Sequence, residues 1–248
     1  MHRGLIEVWV SVVASELVIL PTYCERENIG KLIPLIFRYM PQAHVLVIDD
    51  HSPDQTVEVV RELQKEYEGR LFYKVRPGKL GLGTAYIEGF HFALEKGYSF
   101  IFEMDADFSH SPADLPRLRK RGEKCDVVLG SRYIRGGGVK NWGVGRQILS
   151  RGGNLYARAL LRLPLRDLTG GFKCFRKEVL MALPLNEIKS EGYAFQVELT
   201  YRAFLGGFHI EEVPILFVDR KAGRSKMSRR IVAEALWRVW QLRGLAKS

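Results

Sequence analysis

The chain has 248 residues, with 38 Lys and Arg against 28 Asp and Glu and a formal charge of +10. That length suits one large α/β domain or two small ones, and no window approaches the ~20 apolar residues that span a bilayer, which argues against an integral membrane protein. The basic excess calls for an anionic partner, whether nucleic acid, an anionic membrane surface or a phosphorylated substrate. Cys24, Cys125 and Cys174 are dispersed and odd in number, which fits neither a zinc site nor a disulfide framework and suits the cytosol.

The first fifteen residues look superficially like a leader with one early Arg, but Glu7 interrupts the apolar core and a strand-like run follows at once. An edge strand or an N-terminal extension over residues 1–16 is expected instead. Leu17 to Leu20 reads as a buried strand ended by Pro21-Thr22-Tyr23. Glu27 to Tyr39 places Ile29, Leu32, Ile33, Ile36 and Phe37 at helical spacing, and Val45 to Ile48 is a second strand with Asp49 and Asp50 at its end. Ser52-Pro53-Asp54 opens another helix, and Leu71 to Val75 is a third strand. It leads into the glycine loop Pro77 to Gly83 and a helix through Leu94, and a fourth strand delivers Asp105.

Strands alternating with helices predict a mostly parallel sheet with right-handed crossovers, and such sheets bind ligands beyond the C-terminal ends of their strands. Tyr23, Glu25, Asp50, Lys79, Asp105 and Asp107 all fall at such ends. On an extended backbone, residues i and i+2 share a face, so Asp105 and Asp107 could hold one Mg2+ or Mn2+ against a diphosphate. Alone, Asp-x-Asp is equally compatible with a loop or a helix N-cap. The glycine loop reads either as a phosphate cradle or as a tight turn whose glycines allow close helix packing, and it lacks the Walker spacing.

After Asp107 the alternation weakens and basic residues gather. Val127 to Ser131 is a strand ending at Arg132, a glycine-rich stretch precedes Arg146, and Val213 to Val218 leads to Arg220, Arg224 and Lys226. These last three could close over an anionic substrate.

Pro21-Thr22-Tyr23-Cys24-Glu25, Ile48-Asp49-Asp50, Gly81 to Tyr86, Asp105-Ala106-Asp107, Ser131-Arg132-Tyr133 and Val218-Asp219-Arg220 with Lys226, in that order, resemble the dolichol-phosphate mannosyltransferases. That family belongs to the inverting family-2 glycosyltransferases of GT-A (Rossmann-like) fold, and the resemblance covers roughly Leu17 to Trp240. Two departures are the bulky extension before Leu17 and Cys24, where the family usually has Asn.

The resemblance implies that Pro21, Tyr23, Glu25, Ile48 and Asp50 bind the guanosine part of GDP-mannose. It implies that Asp105, Ala106 and Asp107 hold the metal and diphosphate, and that Arg132, Arg220 and Lys226 contact donor phosphates or sugar. Arg132, Arg146 and Ser150 match positions that hold the phosphate of a dolichyl or polyprenyl acceptor. It also implies a peripheral enzyme on the cytosolic face of a membrane, with or without an accessory membrane subunit, and no nucleic-acid partner.

The chemistry agrees. Transfer to a hydroxyl needs a general base, and no His or carboxylate stands out for that task beyond Asp105 and Asp107. A phosphomonoester, with a second pKa near ~6, is already an anionic nucleophile and needs only positive charge around it. Asp107, Arg132 and Arg146 are therefore the expected catalytic residues.

Two segments suit a membrane surface. Ser150 to Leu163 carries Leu155, Tyr156, Ala159, Leu160 and Leu163 with interleaved arginines, and Ser228 to Leu242 carries an apolar stripe ending in Val239 and Trp240. Packing on the domain core is the competing reading for both. The expected organisation is an extension (1–16), a catalytic domain (17–227) and a C-terminal amphipathic helix (228–248). The rival functions are a family-2 transferase using another sugar, such as a polyprenyl-phosphate glucosyltransferase, or a noncatalytic basic nucleotide-binding protein.

Overall fold

A computed structural model describes residues 15–219 and 229–247. The N-terminal extension, Arg220, Arg224 and Lys226 lie outside the described residues.

Strand β1 (Glu16–Thr22) lies inside the main sheet. Its side chains alternate between two cores. Leu17 and Ile19 face the one that contains Tyr86, Phe90 and Phe195, while Val18 and Leu20 face the one built on Ile29, Leu32, Ile33 and Ile36. All four are fully buried, and each such side chain contributes about 1.5–3 kcal/mol. Helices therefore cover both faces, which is why β1 reads as an uninterrupted apolar run.

The first half is a regular alternation: α1 (Arg26–Tyr39), β2 (His44–Asp49), α2 (Thr56–Glu66), β3 (Leu71–Val75), α3 (Leu82–Lys96) and β4 (Phe100–Glu103). Then come α4 (Leu115–Gly122), β5 (Val127–Ser131), β6 (Gly138–Lys140) and α5 (Val144–Leu161). The chain continues through β7 (Lys173–Arg176), α6 (Lys177–Ala182), α7 (Gly192–Leu205), β8 (Ile210–Pro214), β9 (Leu216–Val218) and α8 (Arg229–Gln241). The seven-stranded sheet has the order β3-β2-β1-β4-β7-β5-β8, and β6 pairs with β9 separately. Every neighbour in the large sheet is parallel except β7, which runs antiparallel to β4 and β5. The expected α/β class and mostly parallel sheet are what the chain adopts.

Three local differences from the sequence expectation have physical causes. Asp105 and Asp107 lie beyond the end of β4, on a turn in which Phe108 has φ 62°, so turn geometry rather than strand alternation aims the carboxylates. Helix α5 starts two turns before Ser150 and buries Asn154, Ala157 and Leu161, leaving Leu155 outside. The expected stripe thus divides between core and surface. Helix α8 packs on α5 and α7, with Val239 buried in the core while the stacked pair Trp237 and Trp240 stays exposed.

Candidate active site

The strand order reverses between β1, whose neighbours are β2 and β4, and the strands beyond. A crevice opens at such a switch point. Three loops meet there, and each contains a non-glycine residue in the left-handed region: Cys24 (φ 61°), His51 (φ 60°) and Phe108 (φ 62°). Strain of this kind concentrates where loops are shaped for a ligand.

On the nucleoside side, Thr22 Oγ1 donates to Asp49 Oδ2 at 2.7 Å, and Asp49 also accepts from the Ser52 amide and hydroxyl. Asp49 thereby ties the ends of β1 and β2 together. Asp50 pairs at 2.9 Å with the buried Arg76 and accepts the Gly81 amide at 3.2 Å. Arg76 in turn donates to the Gly81 carbonyl and to Thr84, so it pins the glycine loop against β2. Sequence reading did not single it out. Glu25 accepts from the Asn28 amide at 2.7 Å, and the Lys79 ammonium sits 3.7 Å from the ring centre of the exposed Tyr23. Pro21 is half-buried at the end of β1. Ile48 is buried in the core, which leaves its main chain, not its side chain, at the strand end.

The structure favours the packing reading of the glycine loop. A Cβ on Gly83 would lie 2.8 Å from the Ser190 carbonyl and 2.9 Å from the Phe195 ring, and Gly81 has φ 104°. Glu191 accepts the Gly83 amide at 3.1 Å, at the N-terminal end of α3, where a carboxylate complements unpaired amides. These glycines admit the 190–195 segment.

The acidic turn is held from beneath. Ala106 is buried, and the Ser109 amide donates to Asp107 Oδ1 at 3.0 Å. His110 accepts the Asp105 amide on Nδ1 at 3.2 Å and is clasped between Phe172 and Phe217, the first ring stacked and the second edge-on. Burial pushes the His110 pKa down to about 4, with Asp107 pulling against it and Arg132 reinforcing it. The ring is neutral at pH 7 and serves as an acceptor. Deeper still, Glu103 and Lys173 are cross-strand partners. Burial raises the Glu103 carboxyl to about 7 against the pull of Lys173, and lowers the Lys173 ammonium to about 8 against the pull of Glu103.

The donor chemistry of this turn fits a hard divalent cation. Two carboxylates one residue apart stand beside the Ser109 hydroxyl, a buried oxygen without a hydrogen-bond partner. No cluster of three or more acidic, His or Cys side chains forms among the described residues. Mg2+ and Mn2+ take oxygen ligands and commonly use one or two carboxylates, with water and phosphate completing the shell.

On the other side, Arg132 is buried and forked onto Asp167 through Nε and Nη2 at 2.7 and 2.6 Å. Burial opposes its charge, but Asp167 outweighs that and holds its pKa above the ordinary value. Arg132 Nη2 also donates to Thr169. Arg146 pairs with Asp219 at 2.7 Å and lies 4.3 Å from the Trp142 ring centre, while Arg132 lies 5.6 Å from the same ring. The Tyr133 hydroxyl donates to Ser150 Oγ at 2.7 Å. Arg132 and Arg146 thus flank one tryptophan, while Ser150 is held by Tyr133. Strand β9 joins this cluster to the acidic turn: Phe217 touches both His110 and Trp142, and the Val218 amide donates to the Ser109 carbonyl at 3.2 Å.

From Arg146 and Ser150 a groove of about 470 Å3 runs between α5, α7 and α8, lined largely by apolar atoms from Trp142, Tyr156, Val197, Leu236 and Val239.

An open α/β sheet with an acidic turn at its switch point is the layout of the GT-A glycosyltransferases, and the chain belongs to that class: residues 17–183 match Glycosyl transferase family 2. Among curated relatives, it is 44% identical over 231 residues to the polyprenol monophosphomannose synthase of Mycolicibacterium smegmatis, covering 92% of this chain and 87% of that one. It is also 44% identical over 223 residues to the undecaprenyl-phosphate mannosyltransferase of Micrococcus luteus, covering 90% and 91%. Solved structures agree on the fold. Glucosyl-3-phosphoglycerate synthase from Mycobacterium tuberculosis, in complex with Mn2+, UDP and glucosyl-3-phosphoglycerate, aligns with TM-score 0.63 at 18% identity over 93% of this chain and 80% of that one. A mannosyltransferase from Pyrobaculum calidifontis, in complex with GDP-Man and Mn2+, aligns with TM-score 0.59 at 16% identity over 92% and 69%.

Proposed function

We propose that this chain transfers mannose from GDP-mannose to a polyprenyl phosphate such as dolichyl or undecaprenyl phosphate, with inversion, on the cytosolic face of a membrane. The observation that carries the reading is the largely apolar groove whose lining includes Arg146 and Ser150. A ligand with a phosphate at one end and a hydrocarbon chain at the other matches that polarity, and the two mannosyltransferase relatives act on such lipids by name.

The acceptor phosphate oxygen forms a bond to the anomeric carbon as the bond from that carbon to the GDP oxygen breaks on the opposite side. A single displacement inverts the centre, gives a β-linked mannosyl phosphate, and requires no proton to move. Two anions must approach for this to happen. Arg146, braced on Trp142, screens that repulsion and aligns the attack, while Arg132, expected to share the task, has its charge balanced by Asp167 and contributes position rather than net charge. Ser150, oriented by Tyr133, adds a neutral hydrogen bond. Asp105 and Asp107 would hold Mg2+ or Mn2+, which when bound supplies positive charge for the departing diphosphate. Tyr23, Glu25, Asp50, Ala106, Arg220 and Lys226 complete the donor side in this reading, together with the strand-end backbone at Pro21 and Ile48.

The test is incubation with a panel of labelled nucleotide sugars, short polyprenyl phosphates and either metal, followed by extraction into organic solvent. Label should pass into the lipid phase from GDP-mannose and require the phosphate on the acceptor. Preferential transfer from UDP-glucose would replace the sugar, and transfer to the free alcohol would defeat the mechanism.

A further inference from the structure

Helix α5 separates two cavities of opposite character. The groove described above lies along Arg146, Leu149, Ser150, Gly153 and Ala157. A second cavity, of about 440 Å3, lies along Arg151, Asn154, Leu155 and Arg158, and no residue lines both. Between them runs a polar partition in which Tyr133 bonds Ser150 and Thr169 bonds both Arg132 and Asn154.

The second cavity is lined by Arg132, Arg151, Arg158 and Arg166 and by no carboxylate. Asp167 neutralises Arg132. Arg151, Arg158 and Arg166 take part in none of the ion pairs among the described residues. The Arg158 Nε, moreover, is buried without an acceptor. Glu212 accepts the Arg166 main-chain amide at 2.9 Å, and the guanidinium forks of Arg151, Arg158 and Arg166 around a concave surface match the geometry of phosphate oxygens.

The outward face of α5 beside the pocket shows where that phosphate comes from. Val144, Ile148, Arg151, Leu155 and Arg158 recur every three or four residues along the outward side of α5, and the three apolar members are 72%, 67% and 63% exposed. A helix that presents bulky apolar side chains and arginines on one outward face is built to lie in the headgroup layer of a bilayer.

We propose that this pocket binds the headgroup phosphate of an anionic membrane lipid and seats α5 in the interface, separately from the acceptor phosphate at Arg146. The proposal rests on the membrane-facing part of the functional reading above, and its test is independent of sugar transfer. The full chain is floated at low salt with phosphatidylcholine vesicles, with or without phosphatidylglycerol. Wild type should partition onto the anionic vesicles. Arg151→Gln/Arg166→Gln, which changes two exposed side chains, should lose about 25-fold in that partition, at about fivefold per arginine. Arg158→Gln should lose a comparable share.

All variants should transfer normally to a short-chain acceptor in detergent. Unchanged flotation would overturn the proposal. So would glycerol phosphate binding in the pocket with vesicle partition indifferent to the substitutions, because the site would then serve a soluble phosphate. Loss of transfer to the short acceptor would merge the pocket with the acceptor site and equally overturn it. A chain that floats as expected yet transfers no sugar leaves the pocket standing and sinks only the functional reading.

Discussion

Single residues divide the site into parts that act on ligand and parts that hold them. Arg146 lines the groove, so in the proposed function Arg146→Ala removes a charge-assisted contact to the acceptor phosphate worth about 1.5–3 kcal/mol. The acceptor KM should rise about 10- to 100-fold with the donor KM nearly constant, and equal changes in both from initial-rate kinetics would reject the assignment. Asp107→Ala should reduce transfer by about a thousandfold or more and abolish Mn2+ binding measured by calorimetry in the absence of substrates. Cys24 makes a different point. It occupies the left-handed region with φ 61°, a conformation that costs an L residue about 1–2 kcal/mol and that Asn tolerates better. Cys24→Asn should therefore raise the unfolding midpoint by about 1–4 °C, read by thermal denaturation. The acidic turn was legible because a strand ran straight into it. Arg76, His110, Asp167 and Ser109 were not, since their partners or their burial arise from long-range packing: Asp167 lies 35 residues from Arg132, a separation without periodicity.

At the scale of elements, β7 is the piece that makes the sheet mixed. It enters antiparallel between β4 and β5 and brings Lys173 opposite Glu103, with the ammonium donating to Gln196. Removing Lys173 takes away the nearby charge that holds the Glu103 carboxyl down and leaves the buried Gln196 carbonyl without its ammonium donor, at a cost of about 1–3 kcal/mol. Lys173→Met should accordingly destabilise the fold by that amount in urea titrations, and Glu103→Gln/Lys173→Met should recover part of it. Additive losses in the two single variants and the double would show that the strands do not couple through this pair. The same strand shows why the second half of the chain was harder to read than the first. In β1, β2 and β4 mostly buried apolar runs announce the strand, β3 is a half-exposed Leu-Phe-Tyr-Lys-Val, and amphipathic spacing announces α1. Strand β7 is four residues, Lys-Cys-Phe-Arg, with charges at both ends. Helix α7 is buried nearly all round, with Gln196, Glu198 and Thr200 among its buried residues, so it shows neither an apolar stripe nor an apolar run. Helices α5 and α8 declared themselves by spacing, but spacing alone left open which side faced inward.

For the molecule as a whole, the acidic turn and the apolar groove are linked through β9 and the rings of His110, Phe217 and Trp142, so donor and acceptor ends share one rigid connection. The groove continues from that connection past α5 and α7 to α8, whose Val239 is anchored in the core and whose Trp237 and Trp240 stand outside. A polyprenyl chain entering from a bilayer would pass the tryptophans, fill the groove and end with its phosphate at Arg146. Burial of each hydrocarbon group adds about 0.8 kcal/mol per CH2, so the acceptor KM should fall steeply over the first isoprene units and level off once the groove is full. Leu236→Gln, at the groove wall, should raise KM for the longer acceptors by about tenfold, in line with the loss of roughly 1–2 kcal/mol of apolar contact, while leaving a one-unit acceptor and GDP-mannose unaffected. Initial rates across a series of prenyl phosphates measure both effects. A KM independent of chain length would mean that the groove does not hold the lipid, and that only the phosphate is recognised.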